Sequence, residues 1–245
     1  RSCVIFMANV TEAIILSSIK YSETSVIMKC YSENYGILSF IIKGIRSKKR
    51  TKFSLSNIEP LSIVEIEFTK LKKGELSHLK NIKNVVIYDD LRFNIIKSNI
   101  ALFLSEFLNT ILRFEEENIG LYRYIKEALI DLDKIKKYEN FHIHFLIDFL
   151  KFLGIKPEIN NKNYKFFDIK NGVFKNTNDS QYCVGGKLVD EFKKLLGTNF
   201  DTYFEILKTT NQRRNMTNFL MNYYKYHVSG FKRPNSLEIL NGLFS

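Results

Sequence analysis

Cysteine is scarce in this chain. Cys3, Cys30 and Cys183 lie too far apart to form a Cys-x-x-Cys pair, and an odd count of three argues against a disulfide framework. A reducing, cytoplasmic compartment is expected. Long apolar runs are missing too: stretches such as Cys3 to Ala8 or Ala13 to Leu16 fall far short of the roughly 20 residues that span a bilayer, so no membrane partner is expected. The residues ahead of Met7 are too few for a secretory signal and receive no role. The familiar catalytic templates are absent: there is no G-x-S-x-G elbow, no Gly-rich phosphate loop ending in Lys-Ser/Thr and no H-E-x-x-H. His142 and His144, two residues apart, point to different sides of a helix, unlike the i, i+4 pair that shares a metal ion. Asp89-Asp90 reads as a cap at a strand-to-helix junction, and Glu115-Glu116-Glu117 as a solvated helix end. Nothing here points to an enzyme, a cofactor or a resident metal. Acids are the scarce charge, 26 against 37 Lys and Arg, and the resulting +11 directs attention to an anionic partner such as nucleic acid.

What the chain does have is pattern. From Thr11 to Tyr88 five short β-rich runs follow one another: TEAIILSSIK, SVIMKCYS, GILSFIIKG, SIVEIEFTK and ELSHLKNIKNVVIY. Ile63, Glu65 and Glu67 alternate with Val64, Ile66 and Phe68, the period of two expected when one sheet face is buried. Five strands in about 80 residues is the size of a small closed barrel, for which the OB-fold is the common nucleic-acid-binding form. After Asp89-Asp90 the period changes, with Phe93, Ile96, Ile100, Phe103, Leu104, Phe107 and Leu108 at helical steps. Further helices are expected at Gly120–Leu132, Asn140–Leu153, Lys187–Leu196, Thr202–Thr209, Asn211–Val228 and in SLEILNGLF. The expected fold is therefore α+β: an OB-fold barrel over residues 1–88, then a helical domain over 89–245 with a small irregular or β insert at about 157–184.

One stretch concentrates charge. KGIRSKKRTK, Lys43 to Lys52, sets six cations in ten residues, with Glu33 and Glu59 the nearest acids in sequence. It connects two strands of the expected barrel, where Lys43, Arg46, Lys48, Lys49, Arg50 and Lys52 can track a phosphate backbone. Tyr21, Tyr31, Tyr35 and Phe40 lie in or beside the adjoining strands, as stacking platforms or as barrel filling. Tyr223, Tyr224 and Tyr226 read mainly as packing. In the second half, Lys208, Arg213 and Arg214 stand near Phe219, Leu220 and Met221, cations beside apolar residues of the kind that dock an acidic, apolar peptide tail. Two other readings stay open: a protein-interaction scaffold whose charge reflects genome composition, and an RNA-binding OB protein.

The order of these features resembles the bacterial recombination mediator family RecO. The resemblance rests on Lys20-Tyr21-Ser22-Glu23-Thr24-Ser25, on Tyr31 to Gly36 and on Lys43-Gly44-Ile45-Arg46, then at the far end on FLKFLGIKPEIN and YYKYHVSGFKRPNSLEIL. It implies a non-enzymatic, ATP-independent protein that binds single- and double-stranded DNA, with Lys20 and Tyr21 among the contacts, and anneals complementary strands. The implied partners are RecR, the C-terminal tail of the single-strand-binding protein and, indirectly, the RecA recombinase. Many members of the family hold zinc in the insert through four cysteines. Here only Cys183 remains and the insert has no histidine, so no zinc is expected and packing by Phe166, Phe167, Val173 and Phe174 must hold the insert instead.

Overall fold

Strand β1 (Asn9–Lys20) organises the first half of the molecule. The computed structural model describes residues 8–47, 53–69, 78–113, 116–160, 163–197 and 206–243, and divides into two compact units, Arg1–Lys134 and Ile135–Ser245. In the first unit β1 is shared by two partners: its first half pairs with β4 (Ile63–Thr69), and its second half with β2 (Val26–Ser32). An irregularity in the β1–β2 register between Ile15 and Ser17 lets the strand bend from one partner to the other. With β3 (Gly36–Ile42) and β5 (His78–Asn84) the antiparallel order is β3-β2-β1-β4-β5, and the outer strands β3 and β5 approach each other. This is the OB-fold expected from the alternation. Its interior is filled by Ala13, Ile15, Met28, Cys30, Phe40, Ile66 and Phe68, with Ile45 and Ile58 closing in from the β3–β4 connection. Each Ile, Met or Phe side chain among them contributes about 1.5–3 kcal/mol by leaving water.

The residues that alternate with these, Ile14 and Leu16, are equally buried, because helix α1 (Ile95–Ile111) packs on β1 and its Ser105 hydroxyl donates to Leu16 O at 2.7 Å. Helix α2 (Ile119–Lys134) covers Tyr31 and Glu12: Tyr122 lies 6.3 Å ring to ring from Tyr31, and Lys126 pairs with Glu12. Two expectations at this junction need correcting. Phe93 is 83% exposed, since it precedes the helix, whose N-cap is Asn94. Asp89 and Asp90 do not cap it; with Leu91 they donate their own backbone N–H groups to the Asp133 carboxylate, at 3.0, 2.9 and 2.7 Å.

In the second unit, α3 (Phe141–Phe152) packs against α5 (Thr210–His227), tied by Tyr224 Oη to Leu146 O at 2.6 Å and by His142 Nε2 to Thr217 Oγ1 at 3.0 Å. Burial, aided by Arg213, pushes the His142 imidazole down to about 3, so it is a neutral core residue at physiological pH. Helix α4 (Lys187–Leu196) and the short α6 (Leu237–Leu243) complete the described helices. Helix α5 begins where Thr209 and Gln212 form a capping box. Of the helix expected at Thr202–Thr209, residues 202–205 fall outside the described residues, and Leu207 to Thr209 are not helical.

The insert is a three-stranded sheet, β6 (Phe166–Asp168), β7 (Val173–Lys175) and β8 (Cys183–Gly185), in the order β7-β6-β8. Phe167 is fully buried, with rings of Phe174, Phe192, Phe219 and Tyr223 around it at 4.7–5.8 Å. Val173, by contrast, is 41% exposed: the period of two that turns Phe174 inward turns it out. The β6–β7 turn is held by a buried carboxylate, Asp168, which accepts N–H groups from Lys170 and Asn171, the Asn171 amide and the Lys175 ammonium. Burial pushes this carboxyl up, but the bonds from Asn171 and Lys175 outweigh it and hold it below the usual range. Gly172 completes the turn at φ 70, where a Cβ would lie 2.7 Å from Tyr223 Oη. Lys175 also bridges to Asp179, whose Oδ1 accepts from Cys183 Sγ at 3.6 Å. This donor set does not fit zinc, and no group of three or more His, Cys, Asp or Glu able to hold a metal occurs among the described residues. Elemental analysis of purified protein should find no stoichiometric zinc, and a chelator should leave the melting temperature unchanged; bound zinc, or a chelator-dependent melt, would refute the metal-free insert.

Candidate nucleic-acid interface

The β1–β2 connection is a tight turn in which Tyr21 N and Ser22 N both donate to Ser25 O, at 3.0 and 3.3 Å. The chain leaving β3 docks on it. Gly44, at φ 75, redirects the backbone, Ile45 plugs into the barrel core at 6% exposure, and Arg46 N donates to Thr24 O at 3.2 Å. Strand register aligns Lys20 with Val26 and Val26 with Ile42. Lys20, Tyr21, Lys43 and Arg46 are therefore gathered at one end of the barrel, all of them exposed. Lys48, Lys49, Arg50 and Lys52 lie outside the described residues.

Some cations of the first unit are engaged internally and these, among the described residues, are not. Arg92 is bound to Glu59, Pro60 O and Ser62, Lys97 to Asp90 and Asp133 O, and Lys126 to Glu12. Lys20, Lys43 and Arg46 make no side-chain hydrogen bond or ion pair among the described residues. The acid-free surroundings read from the sequence do not survive folding unchanged, because the Arg46–Thr24 bond sets the turn that carries exposed Glu23 beside the cations.

The aromatics divide. Phe40 fills the barrel, and Tyr31 is fully buried, its hydroxyl near Glu116 O and Asn118 O at 3.5 and 3.4 Å. Tyr35 is half-buried edge-on against Phe68 at 5.3 Å and donates to Asn9 Oδ1; the whole of β2 separates it from the cation group. Of these four aromatics Tyr21, 63% exposed, is the one that presents an open ring beside the cations.

In the second unit Lys208 and Arg214 are exposed, Arg214 donating to Asn241 O, while half-buried Arg213 donates to Thr210 Oγ1 and Leu207 O. Phe219, Leu220 and Met221 are core residues, because the helical period that turns Arg214 outward turns them in. Cations and apolar residues are thus neighbours in sequence without forming an open slot together. The sequence reading missed Asp133, Asp168 and an asparagine stripe on α5 at 215, 218 and 222, whose helical spacing was visible in the sequence.

A five-stranded OB barrel with exposed cations gathered at one end, followed by helices carrying a small sheet, defines a basic OB-fold protein with an appended helical unit. Residues 7–88 match the family model for the Recombination protein O N terminal region, and residues 92–237 that for its C terminal region. The chain is 34% identical to a DNA repair protein RecO from Christiangramia forsetii, covering 96% of this chain and 98% of that one. It is 34% identical to one from Flavobacterium psychrophilum, with the same coverage, and 31% identical to one from Bacteroides fragilis, covering 97% and 100%. The chain belongs to the RecO family of DNA repair proteins.

Proposed function

We propose that the chain is a recombination mediator that binds single- and double-stranded DNA, anneals complementary strands without nucleotide hydrolysis and, with RecR, helps load RecA onto strands coated by single-strand-binding protein in the cytoplasm. The observation that carries this reading is the group of Lys20, Lys43 and Arg46 at one barrel end, with no side-chain partner among the described residues and continuous in sequence with four more cations. Cations fixed on a folded surface release condensed counterions from each strand they meet, and two strands held on one such surface repel each other less than in solution. Annealing then follows from base pairing itself. In this reading residues 1–88 supply the DNA contacts, with Tyr21 stacking on a base. Residues 89–245 meet protein partners, and exposed Lys208 and Arg214, with Arg213 between them, pair with the acids of the single-strand-binding protein's tail.

One assay tests both halves. The intact chain should accelerate annealing of complementary oligonucleotides with no nucleotide present, both on naked strands and on strands coated with single-strand-binding protein. Removing that protein's acidic tail should abolish the effect on coated strands only. No acceleration on naked strands would sink the mediator reading, and indifference to the tail would sink the docking.

A further inference from the structure

A groove of about 420 Å³ opens in the helical unit between the insert and α5. One wall carries Asn215, Asn218 and Asn222, spaced three and four residues apart and so aligned along one stripe of the helix. The other carries Gln181 and Tyr182 from the insert, and Tyr226 and Lys225 stand at the end of the stripe. No acidic side chain lines it. The amides of Gln181, Asn215 and Asn222 make no hydrogen bond among the described residues, whereas Asn218 accepts from Arg233. Tyr182 and Tyr226 meet edge to face at 5.6 Å, and the Lys170 ammonium lies 4.7 Å over the Tyr182 ring. Tyr226 is 47% exposed, unlike Tyr223 and Tyr224 on the same helix, which are buried.

We propose that this groove takes an unpaired nucleobase of a single DNA strand, a second contact remote in sequence from the barrel cations. The inference rests on the reading above that the chain binds DNA. A carboxamide both donates and accepts, so a row of solvent-facing amides can meet the edge of any base. An exposed phenol ring offers a stacking surface that tolerates every base, and lysines at the rim offset the adjoining phosphate. A groove of this size falls within the range of roughly 300–1,000 Å³ that holds small organic ligands. An acidic peptide would find lysine here as well, but the amide row and the open ring match a flat, polar-edged ligand better than a charged chain. A paired base cannot enter, so the contact favours single strands over duplex.

The test uses the intact protein and a single-stranded oligonucleotide containing 5-iododeoxyuridine. Irradiation should produce an adduct on Tyr182 or Tyr226, located by mass spectrometry. Tyr226→Ala should weaken single-strand binding roughly five- to ten-fold with the salt dependence unchanged, because a ring and no phosphate contact is lost. Tyr226→Phe should restore binding, and duplex affinity should be the same in all three proteins. Parental binding with no adduct in the groove and no weakening in Tyr226→Ala overturns this inference and leaves the proposed function standing. A parent that does not bind the oligonucleotide overturns the proposed function, and this inference with it. Loss of acidic-peptide binding in Tyr226→Ala, with oligonucleotide binding intact, also overturns it and reassigns the groove to a peptide.

Discussion

Alanine at Arg46, Lys48, Lys49, Arg50 and Lys52 together should nearly abolish the salt dependence of single-strand binding. If the parental protein neutralises about four phosphates in all, the log–log slope is roughly −3, so a four-fold rise in salt weakens binding by about 60-fold. With about one contact remaining, through Lys20 and Lys43, the slope falls to roughly −0.7 and the same rise costs only about three-fold. Affinity at low salt should drop correspondingly, while at high salt the two proteins converge. Folding should be indifferent to the change, because the exposed Arg46 side chain makes no bond among the described residues and its anchor in the barrel is the neighbouring Ile45. Salt titrations by fluorescence anisotropy, run beside thermal melts, measure both quantities. A parental slope preserved in the variant removes this loop from the interface, and a large drop in melting temperature would show that the cations serve the fold.

The barrel was legible because its signal is local. Alternation along Ile63 to Phe68, a Gly-containing turn before β3 and a basic connection after it define strands whose described bounds differ from expectation by at most two residues, except that β5 stops at Asn84, four residues before Tyr88. The destiny of single aromatics was not. Period two separates Tyr31 from Cys30, but a barrel has an inside and an outside, and only the helix that arrives some 90 residues later makes the outside a second buried face. Phe219 poses the same problem: a phenylalanine beside arginines reads equally as a docking anchor or as core, and the rings of Phe167 and Phe192 that decide it come from elements far off in sequence. The cations of the site were legible as a cluster, yet their convergence with Lys20 and Tyr21 depends on the Arg46–Thr24 backbone bond, which no side-chain pattern announces. Pro157 and Gly154 marked where α3 ends, but the buried carboxylate that shapes the insert was hidden, because a lone Asp at the end of a three-residue strand carries no periodicity.

Asp133 should prove to be the most sensitive charged position in the first unit. Its carboxylate, 8% exposed, accepts three consecutive backbone N–H groups from residues 89–91, and its own carbonyl accepts from the buried Lys97 ammonium, which also pairs with Asp90 at 2.8 Å. These bonds fasten the barrel's exit segment to the start of α1 and the end of α2. Asp133→Asn keeps the shape and one oxygen to accept from Asp90 N and Leu91 N, but it turns an amide donor toward the Asp89 N–H and removes the charge that strengthened all three bonds and faced Lys97. Losing a buried, charge-assisted acceptor of this kind costs about 3 kcal/mol, which for a chain of this size lowers the melting temperature by roughly 6–12 °C. The effect should depend on pH in a definite sense. Burial pushes the Asp133 carboxyl up, but the N–H groups of Leu91, Asp89 and Asp90, with Lys97, outweigh it and hold it below the usual carboxylate range. A group depressed on folding contributes its stability in full above the unfolded-state pKa of about 3.9 and loses it as pH falls through the lower folded value. The gap between parent and Asp133→Asn should therefore be widest near pH 7, narrow below pH ~4 and close once the native carboxylate is protonated. Denaturant unfolding of both proteins at pH 7 and at pH ~3 measures this, and an equal gap at the two pH values would show that the loss is one of packing, with the charge of Asp133 playing no part.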